Sequence, residues 1–269
     1  PPLPRNPFPS ILFSEDGGTW LPQPSPVGPQ IETISFAQAR LIGLTSSSEI
    51  YSSVDGSAWA PTTAPARVTR LTGLLTNGSS MITSGWGPAA FPTFSGSSVG
   101  LILTSVDGST SNTAALPEPE GFVVTRIHES AQGGGVFVAC AEETPVAGSA
   151  AMTAQRALYV SNDGARWRRI GLQALGAIES IIGAAYGNGV FVVTAYDDHY
   201  LPVVLQSVDR GATWQRHVVA GIDTVLGTVV HGDGGFVAIS YDFGTMVFRS
   251  SDGLQWSSVD AWEASMGGG

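Results

Sequence analysis

A short turn motif recurs six times in this chain and limits the folds that the chain can adopt. Its fullest copy runs from Ser207 to Trp214 and reads SVDRGATW. The aspartates of the copies lie 39 to 56 residues apart, at Asp16, Asp55, Asp107, Asp163, Asp209 and Asp252. Tryptophan ends five copies, at Trp20, Trp59, Trp167, Trp214 and Trp256, whereas the third copy has Ser111 there. A repeat of this period is typical of propellers and solenoids, whose units bury their cores against one another.

The residue types of the motif suit a tight turn between two strands. An aspartate side chain accepts hydrogen bonds from backbone N–H groups two residues further on. The glycine supplies the positive φ that such a turn requires. The tryptophan begins the next strand, where its large ring packs against a neighbouring sheet. We call each copy a box turn.

The motif resembles the Asp box, or BNR repeat, S-x-D-x-G-x-T-W, of sialidases and of many non-enzymatic β-propellers. Asp209, Gly211, Thr213 and Trp214 match its full spacing, and the other copies are one residue shorter. In that family the box joins the two outer strands of a blade, away from the usual active site. The resemblance therefore implies a fold rather than an activity, and we place the chain with the non-enzymatic branch.

Around the box turns, the sequence repeats a unit of four short strands. In the clearest unit, apolar strands over 178–186 and 190–193 flank a Gly-Asn-Gly turn. A third strand over 201–207 then leads into the box turn, and a fourth follows it. Near-continuous apolar strands indicate burial on both faces. The pattern predicts an all-β protein, a propeller of four-stranded antiparallel blades.

The unit count favours six blades with an incomplete first blade. Five units have four strands, whereas the opening unit supplies two. We expect a Pro-rich arm or linker at 1–9, one propeller domain over 10–265 and a flexible Gly tail at 266–269. Because an unpaired strand edge invites another strand, either residues 260–265 or a second chain is expected to complete the first blade.

Charge and composition narrow the possible partners. The net charge is −10, and charged residues make up 13% of the chain. A negative chain has no electrostatic attraction to nucleic acid or to anionic membrane surfaces. No run of 18 apolar residues occurs, so no membrane span is predicted.

Sialidase chemistry is the enzymatic alternative that the resemblance raises, as a glycoside hydrolase or lyase on the same fold. The family's chemistry needs three arginines that bind a carboxylate, a tyrosine nucleophile with a glutamate partner, and an aspartate that acts as general acid and base. The family's early arginine stands in a Phe/Tyr-Arg-Ile-Pro motif, which Pro4-Arg5-Asn6-Pro7 does not match. The four histidines lack metal-ligand spacing. We therefore predict no catalytic residues, no metal and no cofactor.

Unequal loops suggest where a partner binds. Successive hairpin turns alternate between the two ends of a blade, so the loops between second and third strands share one end. Those loops are longest in the third to fifth units, over 85–97, 142–155 and 197–199, and we expect them to form a one-sided crown. The candidate binding residues in it are Trp86, Phe91, Phe94, Asp197, Asp198 and His199.

The sequence thus favours a non-catalytic binding or assembly module. The expected partner is a protein within a larger assembly, or a glycan. By analogy, that assembly is an extracellular or virion structure, such as a phage tail or an adhesin. A purely structural scaffold is the third possibility.

Overall fold

The computed structural model describes most of the chain between residues 11 and 259. The described ranges are 11–14, 19, 21–23, 31–37, 39–45, 47–62, 68–93, 96–107, 110–151, 153–232, 234–240 and 246–259. The first box turn, with Asp16 and Trp20, lies outside the described residues, as do the arm at 1–9, the closing strand expected at 260–265 and the tail at 266–269.

The described strands form one two-stranded sheet and five four-stranded antiparallel sheets, which we number in chain order. Sheet 1 comprises β1 (Ile11–Phe13) and β2 (Leu21–Gln23). Sheet 2 comprises β3 (Ile31–Ala37), β4 (Arg40–Thr45), β5 (Ile50–Ser53) and β6 (Ala60–Pro61). Sheet 3 comprises β7 (Arg70–Thr76), β8 (Met81–Thr93), β9 (Gly96–Ser105) and β10 (Asn112–Thr113). Sheet 4 comprises β11 (Phe122–Gly133), β12 (Val136–Pro145), β13 (Gln155–Ser161) and β14 (Arg168–Gly171). Sheet 5 comprises β15 (Ser180–Gly187), β16 (Val190–Tyr196), β17 (Pro202–Ser207) and β18 (Gln215–Val218). Sheet 6 comprises β19 (Val229–Gly232), β20 (Gly235–Ser240), β21 (Met246–Ser250) and β22 (Ser257–Val259).

The predicted fold class is confirmed. Each four-stranded sheet is a meander whose first strands contact those of the neighbouring sheets, as in propeller blades. Within the described ranges, one 3₁₀ turn occurs, Gln173–Leu175, and it links sheets 4 and 5. No helix among the described residues is long and apolar enough to cross a membrane. The six-blade count stays a prediction.

Apolar clusters fill the spaces between consecutive four-stranded sheets. Successive side chains of β12 alternate between two of these clusters. Val136, Val138 and Cys140 pack toward sheet 5, whereas Phe137 and Ala139 pack toward sheet 3. All five side chains are at most 1% exposed. Because successive side chains in a strand point to opposite faces, a sheet that is covered on both sides needs a continuous apolar run.

Two glycines allow the inner strands of neighbouring sheets to approach closely. A Cβ on Gly133 would lie 1.8 Å from Cδ1 of Tyr186, and one on Gly187 would lie 1.9 Å from Cδ2 of His231. Each glycine ends the first strand of its sheet and leaves room for an aromatic ring of the next sheet. Any larger residue at either position would force the sheets apart.

Two of the three long loops are shorter than the sequence suggested. The stretch 85–97 is mostly strand, because β8 and β9 continue their pairing through Trp86–Gly100 to Pro88–Ser98. Its Pro and Gly content indicated a loop, but the extended hairpin tolerates Pro88 at a register irregularity. In sheet 4, Glu142 and Glu143 still belong to β12, so the loop there covers 146–154.

In sheet 6 the first strand begins later than the apolar run that precedes it. The run starts at Val225, whereas β19 covers Val229–Gly232. Leu226 is fully buried in the cluster between sheets 5 and 6. Its apolar run therefore serves core packing before the strand begins.

Candidate binding site on the loop face

The two ends of the sheets carry different structures. At one end, the turns between first and second strands lie beside the box turns of the next sheet. The Asn77 amide donates to the carbonyls of Gly135 and Asn162, and the Asn188 amide donates to that of Ser251. We call this end the turn face. The opposite end, with the links between sheets and the connections between second and third strands, is the loop face.

On the turn face, each described box aspartate accepts hydrogen bonds from its own turn. Asp163 accepts from the Ser161 hydroxyl at 3.1 Å and from the backbone N–H groups of Ala165 and Arg166 at 2.9 and 2.8 Å. Asp55, Asp107, Asp209 and Asp252 have the same kind of serine and backbone donors. This is the hydrogen-bonding pattern of an Asx-type turn, in which the carboxylate stabilises its own backbone.

The donors also hold the box carboxylates ionised. Hydrogen bonds from the side chain and backbone of Thr213 lower the pKa of Asp209 to about 2. The backbone N–H of Arg166 is the largest cause of the lowered pKa of Asp163. Charge-assisted bonds from backbone donors favour the charged form of a carboxyl group.

The box tryptophans close the same turns from the other side. The indole N–H of Trp59, Trp167, Trp214 and Trp256 donates to the carbonyl of the box glycine at 2.8 to 3.2 Å. Trp167, Trp214 and Trp256 are at most 8% exposed, and each packs in the cluster between its own sheet and the preceding one. Trp59 is half-buried. The box residues therefore hold the fold together.

Replacing Asp163 with Ala is expected to lower the free energy of unfolding by about 1–2 kcal/mol, because several turn hydrogen bonds are lost together. Since its folded pKa is lowered, the stabilisation is present above the unfolded value near 3.8 and is lost as the pH falls through the folded pKa. Urea unfolding at pH 7 and at decreasing pH measures both effects. The exposed Glu120→Ala is the control; equal stability of the two variants at pH 7 would refute the assigned role.

At the loop face, a fully buried glutamate organises sheet 4. The Glu143 carboxylate receives two 2.6 Å bonds from Arg169, one of 2.6 Å from the Tyr159 hydroxyl and one of 2.8 Å from Gln155. These partners come from the two strands that follow β12. Glu143 is 0% exposed, so these donors replace water as hydrogen-bond partners of its carboxylate. Burial, followed by the bond to Glu143, raises the pKa of Tyr159.

The neighbouring Glu142 points to the opposite side of the sheet, in a row with two arginines. Arg126 and Arg156 are its register partners on the adjoining strands. Arg156 lies 3.2 Å and His128 3.5 Å from the Glu142 carboxylate. The contact with His128 is the largest cause of the lowered pKa of Glu142. This carboxylate is therefore neutralised within the sheet.

The structure divides the predicted cluster Asp197, Asp198 and His199 into a buried and an exposed part. Their ligand atoms lie within 4.8 Å of one another. Asp197 is 6% exposed, receives backbone N–H bonds from His199 and Leu201 at 3.0 Å, and forms an ion pair with Arg216 at 2.8 Å. Although burial raises its pKa, the backbone donors make the net shift downward. Asp197 therefore holds the loop, while Asp198 and His199 pair at 2.9 Å in solvent.

The same loop presents two exposed apolar side chains that the sequence analysis missed. Tyr200 is 69% and Leu201 48% exposed. The Tyr200 ring stacks on Tyr196 with centroids 5.3 Å apart, and its backbone has a φ of 59°. A tyrosine in this left-handed region is held at an energetic cost. The sequence signal that could have identified Tyr200 is an aromatic residue directly after Asp-Asp-His.

Beside this loop, a groove of about 450 Å³ lies between the 146–154 loop and the link after β14. Phe122 and Ile178 give it apolar surface, and Gln155 and Gln173, which hydrogen-bond to each other, add polar groups. A Cβ on Gly176, which lines the groove, would lie 3.8 Å from Cδ of Arg216, and Arg216 pairs with Asp197 of the 197–201 loop. We call the groove and this loop together the crown groove.

The aromatic residues predicted in sheet 3 have mixed outcomes. Trp86 lies on β8, is half-buried, and has the guanidinium carbon of Arg70 5.8 Å from its ring centroid. The cation–π contact fixes the ring beside the start of β7. Phe94 lies outside the described residues, and so does the side chain of Phe91, whose backbone belongs to β8. Their part in binding stays a prediction.

No protein-family model matches the sequence, and no curated protein matches it. Several solved structures share the fold. A sialidase from Trypanosoma rangeli aligns with a TM-score of 0.51 at 16% identity, covering 76% of this chain and 39% of the sialidase. A structure of YCF48 bound to D1 peptide aligns with a TM-score of 0.51 at 15% identity, covering 86% of this chain and 67% of YCF48. The chain thus has a sialidase-like propeller fold and spans well under half of the sialidase's length.

Proposed function

We propose that this chain is a non-catalytic propeller that binds a segment of a partner protein in the crown groove. The observation that carries the proposal is Tyr200, an exposed aromatic ring that stacks on Tyr196 in the loop of the crown groove. Ordered aromatic side chains supply much of the binding energy at protein interfaces, because little conformational entropy is lost when they are covered. Leu201 extends the exposed apolar surface.

The groove suits a peptide segment in size and in chemistry. Its volume lies within the range of about 300–1,000 Å³ in which compact ligands are held. Apolar surface at Phe122 and Ile178 would accept side chains, while the exposed Gln173 amide offers a donor and an acceptor for a peptide backbone. YCF48, which has a similar fold, was solved with a bound peptide, and this supports the choice of a protein partner over a glycan.

The charges near the crown groove favour binding over catalysis. Arg156, Arg169 and Arg216 are each within 3.2 Å of a carboxylate and so are not available as a substrate clamp. A sialidase also needs a tyrosine nucleophile with a glutamate partner. Tyr159 and Glu143 form such a pair, but both are 0% exposed, so a sugar cannot reach them. We expect no release of sialic acid from a sialoside substrate.

The proposal includes, by analogy alone, a place for this chain in a larger extracellular or virion assembly. A partner strand that completes the two-stranded sheet 1 belongs to the same proposal, since an open edge accepts an added strand. If this chain is purely a scaffold, partner contacts would spread over both faces and over the sheet edges. The test of the crown groove separates these two roles.

Replacing Tyr200 with Ala is expected to weaken binding of the native partner about 30-fold, as for a residue that contributes about 2 kcal/mol at an interface. Val208→Ala is the matched control, because Val208 is 68% exposed on the same sheet but lies on the turn face. The partner would first be captured by cross-linking in the source cells, and its affinity then measured by calorimetry. Equal affinities for the two variants would contradict the proposal, as would a shift confined to Val208→Ala.

A further inference from the structure

Three exposed arginines surround a cleft on the turn face, at the opposite end of the sheets from the crown groove. The cleft lies between the box turns of sheets 4 and 5 and has a volume of about 500 Å³. Arg166, Arg168 and Arg210 line it together with Asn162 and Asp209. Arg166 belongs to the box turn of sheet 4, Arg168 begins β14, and Arg210 belongs to the box turn of sheet 5.

These arginines differ from Arg156, Arg169 and Arg216 of the same two sheets in forming no ion pair among the described residues. Within the described ranges, no carboxylate oxygen lies within 4 Å of any of the three guanidinium groups. The Asp209 carboxylate lines the cleft but accepts its hydrogen bonds from Ser207 and Thr213 of its own turn. Asp163 interacts electrostatically with Arg166 and accepts from its backbone N–H.

The backbone also brings these side chains together at a cost. Arg210 has a φ of 60°, in the left-handed region that is unfavourable for a residue with a side chain. It is the additional residue that makes this box turn longer than the other five. Arg168 contacts the same turn, because its Nη2 donates to the Gly211 carbonyl at 2.9 Å. A guanidinium group has five N–H donors, so this bond occupies only one of them.

We propose that this cleft binds an anionic ligand through an oxyanion group, a phosphate, a sulfate or a carboxylate. Guanidinium groups present paired N–H donors that match the geometry of such oxyanions. The three positive charges in the cleft exceed the one negative charge of Asp209, and a bound anion would reduce their mutual repulsion while it receives charge-assisted hydrogen bonds. The volume exceeds what a single oxyanion occupies, so the group belongs to a larger ligand. This site is independent of the crown groove.

Calorimetric titration with inorganic phosphate, sulfate and citrate tests the proposal, with ionic strength held constant by sodium chloride. We expect saturable binding of at least one anion by the wild-type chain. The double variant Arg166→Gln/Arg210→Gln should bind about ten-fold more weakly or worse, because hydrogen bonds to a charged group are lost. Arg249→Gln removes an exposed arginine from β21 of sheet 6 and should bind like the wild type.

A preference among the three probes identifies the ligand chemistry. Stronger binding of phosphate or sulfate indicates a tetrahedral group, and stronger binding of citrate indicates carboxylates. Sulfate and phosphate also stabilise folded proteins without binding to them, so the comparison between variants decides the result rather than a melting temperature. Absence of saturable binding by all three anions, or equal binding by the double variant and the wild type, would overturn the proposal.

Discussion

Replacing Trp214 with Ala is expected to lower the free energy of unfolding by about 3–5 kcal/mol, the range for large aromatic residues removed from a packed core. Trp214 is 6% exposed and packs in the cluster between sheets 4 and 5, with its ring centroid 6.2 Å from that of Phe191. Its indole N–H also donates to the Gly211 carbonyl at 3.2 Å. The substitution therefore removes core packing and a bond that closes the box turn.

Urea unfolding followed by fluorescence and circular dichroism measures this effect. Trp59→Ala provides the comparison, because Trp59 makes the equivalent bond to Gly56 but is only half-buried. It should cost less than Trp214→Ala, and the difference reflects burial. A cost below about 1 kcal/mol for Trp214→Ala would show that the box tryptophans do not hold neighbouring sheets together.

The second large effect is expected at Glu143. Replacing it with Ala leaves the Arg169 guanidinium and the Tyr159 hydroxyl without their buried partner. Breaking a buried ion pair from one side typically costs about 3–5 kcal/mol, because the remaining charge is poorly solvated. Glu142→Ala is the control on the adjacent residue. Its side chain is 21% exposed, so its partners can be rehydrated and the expected loss is smaller.

A double variant separates the ion pair from the shape of the site. In Glu143→Leu/Arg169→Leu both charges are removed, and much of the stability lost in Glu143→Ala should return. Urea midpoints at pH 7 give the comparison. Two outcomes would contradict the assigned role. Glu143→Ala could be as stable as the wild type, or the double variant could be clearly less stable than Glu143→Ala.

The sequence predicted those parts of the fold that depend on local chemistry. The box turns need Ser, Asp and Gly within a few residues, so their positions could be found from spacing alone. The apolar runs of β12 and β16 indicated burial on both faces because alternate residues enter different clusters. Local composition also misled, since Pro88 and the neighbouring glycines indicated a loop where β8 continues.

The candidate site was harder to predict because it depends on residues that are distant in the sequence. The sequence placed Glu142 and Glu143 in the 142–155 loop, whereas both belong to β12, and Arg169 from β14 pairs with the buried Glu143. Asp197 was a plausible ligand by residue type, but Arg216 from β18 uses its carboxylate for the fold. The exposure of Tyr200 depends on where the 197–201 loop stands above sheet 5, which no local pattern specifies.

Site-specific photo-cross-linking tests most directly whether the partner binds at the loop face. A benzophenone amino acid would replace Tyr200 or Gln173 in the crown groove, and Val208 or Asn188 on the turn face, in chains that are expressed in the source cells. After irradiation, adducts would be identified by mass spectrometry. We predict one partner protein cross-linked from Tyr200 and from Gln173 and absent from the two turn-face positions. Adducts from Val208 or Asn188 alone, or equally from both faces, would contradict binding in the crown groove.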